Sequence, residues 1–200
     1  KAEDRSVCDL LGGQKRQKVR AYASGADVAW FRDLGFTAHK TSHHPPGGKG
    51  GSEEMVQWAE RGRQMLGSEA LLMIDAYMSW QEDYAVELAS HLAPYNIYWF
   101  EDVLLPDQVE MQAELRRQIK PILLAGGEHE FTAYGFAPVA HAGALDLWQP
   151  DVTWCGGLTA ALRIAELAAA HRCMVMRIME PRGLRAALTE AFATTPRDIS

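Results

Sequence analysis

Short apolar runs rich in β-branched and aromatic residues alternate along this chain with longer segments of helical period, and few architectures accept that alternation. The predicted strands are Val19–Ser24, Phe36–Lys40, Leu71–Asp75, Ile97–Glu101, Ile122–Ala125, Leu145–Trp148 and Cys173–Arg177. Between them the clearest predicted helices are Glu53–Leu66, Gln81–Leu92, Gln108–Gln118 and Leu158–His171. In the last of these, Leu158, Leu162, Ala165, Leu167 and Ala169 form a broad apolar stripe, which asks for burial of one face. A parallel sheet covered by helices follows, either an open doubly wound sheet or most of a (β/α)8 barrel. Strand ends at Asp75, Glu101 and near Ala125 give a unit of about 25 residues, the compact βα repeat of barrels. No glycine-rich phosphate loop follows the first strand, and GxxxxGK[ST] does not occur. A nucleotide-binding doubly wound sheet therefore loses ground to an α/β fold of the incomplete TIM-type barrel class.

Composition narrows the partners. The 200 residues carry 26 acids against 20 bases, a net charge of −6, and no basic block able to neutralise a run of phosphates, so nucleic acid is not an expected partner. No apolar run reaches the roughly 20 residues of a membrane-spanning helix, and the first nine residues lack the apolar stretch of a signal peptide. A soluble, cytoplasmic protein without a membrane partner is expected. Three widely spaced cysteines, Cys8, Cys155 and Cys173, suit neither a disulfide framework nor a zinc knuckle and read as reduced thiols.

The informative feature is where acids fall. LLMID ends an apolar run on Asp75, YWFE ends one on Glu101, and LLAGGE places Glu128 just after the next, at intervals of 26 and 27 residues. A single acid after a strand serves equally well as a helix N-cap or a solvated loop residue. Three in register converge on the catalytic mouth of a barrel, where hard carboxylate oxygens suit Mg2+. Asp102 and Glu130, beside two of them, read as surface or supporting groups. A fourth acid, Asp151 in QPDVTWCGG, could orient a histidine on the next strand as a general-base pair. Lys40 ends the second predicted strand; its ammonium could act as a base or reach solvent or a substrate carboxylate. His43 and His44 fall in the loop HHPPGGKGG, predicted to be mobile with solvated histidines. Trp99, Phe100, Trp148 and Trp154 are expected to pack in the core, with Trp154 a candidate for the barrel mouth.

LMIDAYMSW, YWFEDVL, GEHEFTAYGF and QPDVTWCGGLT, in that order, resemble the enolase superfamily in its mandelate racemase-like branch, most closely the L-rhamnonate dehydratases. The resemblance runs from about Leu10 to Val175. It implies a Mg2+-assisted dehydration of a six-carbon sugar acid to a 2-keto-3-deoxy acid, in which the cation offsets the charge of a dianionic enediolate. Residue by residue it implies Asp75, Glu101 and Glu128 as the Mg2+ ligands. His129 is implied as a group that hydrogen-bonds a substrate hydroxyl or carboxylate, and Asp151 as the acid of a His–Asp dyad. At the second strand's end, where Lys40 lies, other branches of the superfamily carry a lysine base. Intact members of the family are expected to be homo-oligomers.

The chain also departs from that pattern. The family's acid/base histidine maps onto Ile178 within VMRIMEPRG, and no histidine follows His171. Residues 1–18 read as the remnant of a connection to a capping domain, 19–177 as a partial barrel, and 178–200 as a divergent tail, changed or frame-shifted. Two functions follow: a sugar-acid dehydratase, or an inactive homologue that at most binds metal or associates with other subunits.

Overall fold

A computed structural model describes residues 3–13 and 20–175. The elements in chain order are α1 (Val7–Leu10), β1 (Ala23–Ser24), α2 (Val28–Asp33), β2 (Ala38–Ser42), α3 (Ser52–Leu66), β3 (Leu71–Asp75) and α4 (Glu82–Leu92). They continue with β4 (Trp99–Glu101), α5 (Val109–Gln118), β5 (Leu123–Gly126), α6 (Thr132–Ala142), β6 (Leu147–Trp148), α7 (Leu158–Ala170) and β7 (Met174–Val175). The chain divides into two compact units. One comprises Ala21–Gly126 with His141–Asp146; the other comprises, among the described residues, 3–13, 20, Gly127–Ala140 and 147–175.

In the first unit β1 to β5 pair in chain order and every pairing is parallel; in the second, β6 pairs parallel with β7. Successive parallel strands joined through helices are the βα repeat of a TIM-type barrel, with seven strands among the described residues where a closed barrel has eight. The incomplete-barrel class expected from the sequence is the class observed.

Alternation along the strands decides which side chain meets a helix. Leu72, Ile74, Phe100 and Leu124 are all but fully buried, and Leu72 lies against Gly62 of α3. The opposite face of the same strands carries two register rows: Lys40, Met73, Trp99 and Leu123, and above them Ser42, Asp75, Glu101 and Ala125. Helices cover the first face by the periodicity their sequences announce. Met55, Trp58, Ala59 and Gly62 are buried along α3, and Tyr84, Ala85, Leu88, Ala89 and Leu92 along α4. Gly67 ends α3 with φ of 80° and bonds back to the Arg63 carbonyl, a conformation that glycine adopts at little cost. Arg63 then ties the neighbouring loops together, its guanidinium donating to the carbonyls of Ala70, Tyr95 and Asn96 at 2.6–2.7 Å.

The predicted boundaries shift in instructive ways. β3 matches, and Ser52–Leu66 and Glu82–Leu92 fall within a residue of expectation, but β2 runs two residues later than predicted, so that Lys40 is its centre and Ser42 its end. β1 is only Ala23–Ser24, Arg20 to Tyr22 being outside any strand, and β7 is Met174–Val175, Cys173 preceding it without strand pairing; of the predicted strand residues, Val19, Met176 and Arg177 lie outside the described ones. Helices α2 and α6 were not foreseen. Thr132–Ala142 contains Gly135 and Pro138, which read as breakers; burial of Phe136, Val139 and Ala140 outweighs them.

Candidate metal centre

The strand ends of the five-strand unit bring together two of the three carboxylates predicted to bind metal, with a lysine between them. Asp75 and Glu101 are register partners at the ends of β3 and β4. Lys40, one row below, extends its Nζ to Asp75 Oδ2 at 2.8 Å and to Glu101 Oε1. The Lys40 side chain is 9% exposed and that of Glu101 1%. Each carboxylate oxygen has a donor: Asp75 Oδ1 accepts the Tyr77 backbone N–H at 3.0 Å, and Glu101 Oε2 accepts the Trp99 indole N–H at 2.9 Å. The Tyr22 ring centroid lies 5.6 Å from Nζ, within cation–π range. Burial works against the ammonium, yet the neighbouring Glu101, then Tyr22 and Asp75, more than offset it and hold Lys40 above its ordinary pKa. The backbone after these strands is strained, with Tyr77, Met78 and Asp102 at φ of 46°, 58° and 42°.

Trp99, expected only to pack, thus anchors a carboxylate; its place two residues before Glu101, on the same strand face, was the available signal. Asp102, read as a surface or supporting group, is buried.

The second unit holds Glu128, His129 and Asp151. Gly127, with φ of 100°, launches the Glu128 loop after β5; a Cβ there would lie 2.8 Å from the Phe136 ring, so glycine is required sterically as well as conformationally. His129 Nε2 lies 3.3 Å from Glu128 Oε1, and its ring faces Trp154 with centroids 5.5 Å apart. Trp154 itself is half exposed, unlike a core tryptophan. Asp151 is buried, and its Oδ1 accepts the Thr153 hydroxyl at 2.5 Å and the backbone N–H groups of Thr153 and Trp154 at 2.6 and 3.2 Å. One oxygen of the predicted dyad acid therefore fixes a turn. Ile178, onto which the resemblance maps the family's acid/base histidine, lies outside the described residues, as do 14–19 and the rest of the tail 178–200. Burial raises the Glu130 pKa.

The loop after β2 differs from expectation. His43 is buried, with Nε2 at 2.7 Å from the Tyr84 hydroxyl and 3.1 Å from the Gly50 carbonyl. It is an anchor rather than a solvated side chain. A Cβ at Gly51, φ 76°, would come 2.7 Å from its Cε1, and one at Gly48 2.6 Å from the Ser79 carbonyl oxygen, so these two glycines serve close packing. The loop walls a depression of about 370 Å³ lined by Ser42, His44, Lys49 and Glu54 among others.

All donors in the strand-end set are hard oxygens, and the protein itself places a cation on two of them; that chemistry fits a divalent hard cation. Among the described residues no helix is long and apolar enough to cross a membrane, and all three cysteines are free thiols.

Comparison with known proteins places these observations. The chain is 36% identical over 179 residues to an L-rhamnonate dehydratase from Saccharopolyspora erythraea, a match covering 88% of this chain and 46% of the relative. The structure of a rhamnonate dehydratase from Gibberella zeae complexed with Mg superposes with a TM-score of 0.82 and 32% identity, over 90% of this chain and 45% of that one. A racemase from Streptomyces coelicolor with bound magnesium superposes with a TM-score of 0.77 and 31% identity, over 87% and 50%. The chain spans less than half the length of the curated relatives it matches, 43% and 46%. The enolase C-terminal domain-like family matches residues 23–199, and the chain belongs to that family.

Proposed function

We propose that this chain carries the metal-dependent acid-sugar dehydratase chemistry of the rhamnonate type, with Asp75, Glu101 and Glu128 as ligands of Mg2+. The observation that carries the reading is the register pairing of Asp75 and Glu101 at adjacent strand ends, with both carboxylates drawn onto a single cation. When bound, Mg2+ supplies positive charge to a substrate carboxylate as the neighbouring C–H bond ionises. The chain's own groups do the rest. Trp99 and the Tyr77 backbone hold the carboxylates in orientation. His129, beside Glu128, hydrogen-bonds a hydroxyl or carboxylate of a small sugar acid, and Lys40 and Asp151 complete the polar set. The reading places the protein in the cytoplasm and the intact form in a homo-oligomer.

A second reading rests on the sequence position of the acid/base. The resemblance maps the family's acid/base histidine onto position 178, where this chain has Ile, and removal of a general base costs about two to four orders of magnitude in rate. On this reading the chain binds metal or associates with other subunits without turnover.

One experiment separates them. Formation of a 2-keto-3-deoxy acid from L-rhamnonate is followed with Mg2+ and with EDTA, for the parent and for Ile178→His. EDTA-sensitive turnover by the parent supports the dehydratase; turnover gained only by Ile178→His supports the inactive homologue; no turnover by either, with no Mg2+ binding in calorimetry, overturns the metal reading.

A further inference from the structure

A lysine that serves as a general base has to present its amine to a substrate. The Lys40 head is instead turned onto two carboxylates. Its head is enclosed by Asp75, Glu101 and the Tyr22 ring, and its side chain is 9% exposed. Asp75 and Glu101 sit on adjacent parallel strands, which run about 4.8 Å apart, so two carboxylates facing the same way repel unless a cation lies between them. Lys40 starts from the row below, beside Met73 and Trp99, and its stem carries the ammonium up to that position.

We infer that Lys40 is a positioning residue for the metal-ligand pair: its ammonium holds Asp75 and Glu101 in register, and a divalent cation binds these carboxylates in competition with it. The inference rests on the reading of Asp75 and Glu101 as ligands and adds what controls their affinity. A carboxylate oxygen has more than one lone pair, so a metal ion can be accepted beside the donors named above. An ammonium and a divalent ion sharing one buried and one partly buried carboxylate nevertheless repel each other strongly at reduced effective dielectric. Entry of the metal therefore requires Lys40 to withdraw or to share. A monovalent ion offers the pair no more charge than the ammonium it would displace, whereas a divalent ion does, so the lysine also biases the site toward divalent cations.

The test is Mg2+ titration calorimetry and thermal unfolding, with and without EDTA, on the parent, Lys40→Met and Lys40→Arg. Lys40→Met should bind Mg2+ about tenfold more tightly or better, should unfold at lower temperature in EDTA, and should gain more from Mg2+ than the parent does. Lys40→Arg keeps the charge and should bind Mg2+ as the parent does. If Lys40→Met fails to fold, Lys40→Gln takes its place, with the same expected gain in affinity. Unchanged or weaker Mg2+ binding in the neutral variants, whatever their unfolding temperature, overturns the inference and leaves the metal reading standing. Equal tightening in Lys40→Arg also overturns it, because charge would not be the cause. Absence of Mg2+ binding by every variant sinks the metal reading and the inference together.

Discussion

The two faces of the five-strand sheet treat buried polar groups in opposite ways. On one face Lys40, Asp75 and Glu101 are charged, Lys40 and Glu101 all but enclosed and Asp75 partly so, with Lys40 bonded to both carboxylates and these in turn to Trp99 and to backbone. On the other, His39 is 1% exposed between the rings of Phe31 and Trp58, and neither ring nitrogen has a hydrogen-bond partner among the described residues. Both arrangements remove polar atoms from water; only the first compensates them. A buried charge survives by pairing, while a buried imidazole survives by staying neutral. Burial accordingly lowers the His39 pKa, an effect the nearby Asp27 charge only partly reverses. The second unit has its own uncompensated group: Gln149 is fully buried, and neither amide atom has a hydrogen-bond partner among the described residues.

The comparison breaks most visibly if the compensated face loses a partner. Glu101→Leu leaves the Lys40 charge half matched and should destabilise the chain by about 3–5 kcal/mol, read as a shift of the urea midpoint; a loss under 1 kcal/mol would show that the network contributes little. Trp99→Phe removes one donor to a buried carboxylate and part of a buried ring system, and should cost at least about 1.5–3 kcal/mol, with Mg2+ binding weakened because Glu101 is less well oriented.

The uncompensated face should show itself through pH. Below 6.5, the ordinary histidine value, the unfolded chain takes up a proton that folded His39 refuses. Stability should therefore fall as pH drops from 6.5 toward the depressed folded value, and should be insensitive to this group above 6.5. His43, also lowered by burial first of all, acts in the same direction. His39→Leu should flatten the acid side of the profile in part, leaving the His43 share; an unchanged profile would show that His39 is not held neutral. The smallest effect is expected at Gln149→Leu, which exchanges an unpartnered amide for an isosteric apolar group and should stabilise by about 1 kcal/mol. Destabilisation there would mean that the amide has a polar partner after all.

Legibility in the sequence followed the range of the interactions. β3, α3, α4 and α7 were readable because strand alternation and helical stripes are local patterns, and Asp75, Glu101 and Glu128 were readable because each follows a strongly apolar run. Helix α6 was not, since Gly135 and Pro138 argue locally against a helix that tertiary burial of Phe136 nevertheless supports. His43 was misread for a related reason: a glycine-rich loop is locally a signal of freedom, and only the fold reveals that Gly51 is small because an imidazole lies against it.

By itself the sequence determined the βα repeat, its interval and the acids at its strand ends, because periodicity and spacing are properties of the chain alone. Tertiary structure decided what those acids face. Lys40 and Glu101 are 61 residues apart in sequence and meet through parallel pairing of β2, β3 and β4, and the tryptophan that reads as core becomes a hydrogen-bond donor once strand alternation turns it to the same face. Charge pairing inside a protein depends on distance and burial in three dimensions, neither of which is written in the order of residues.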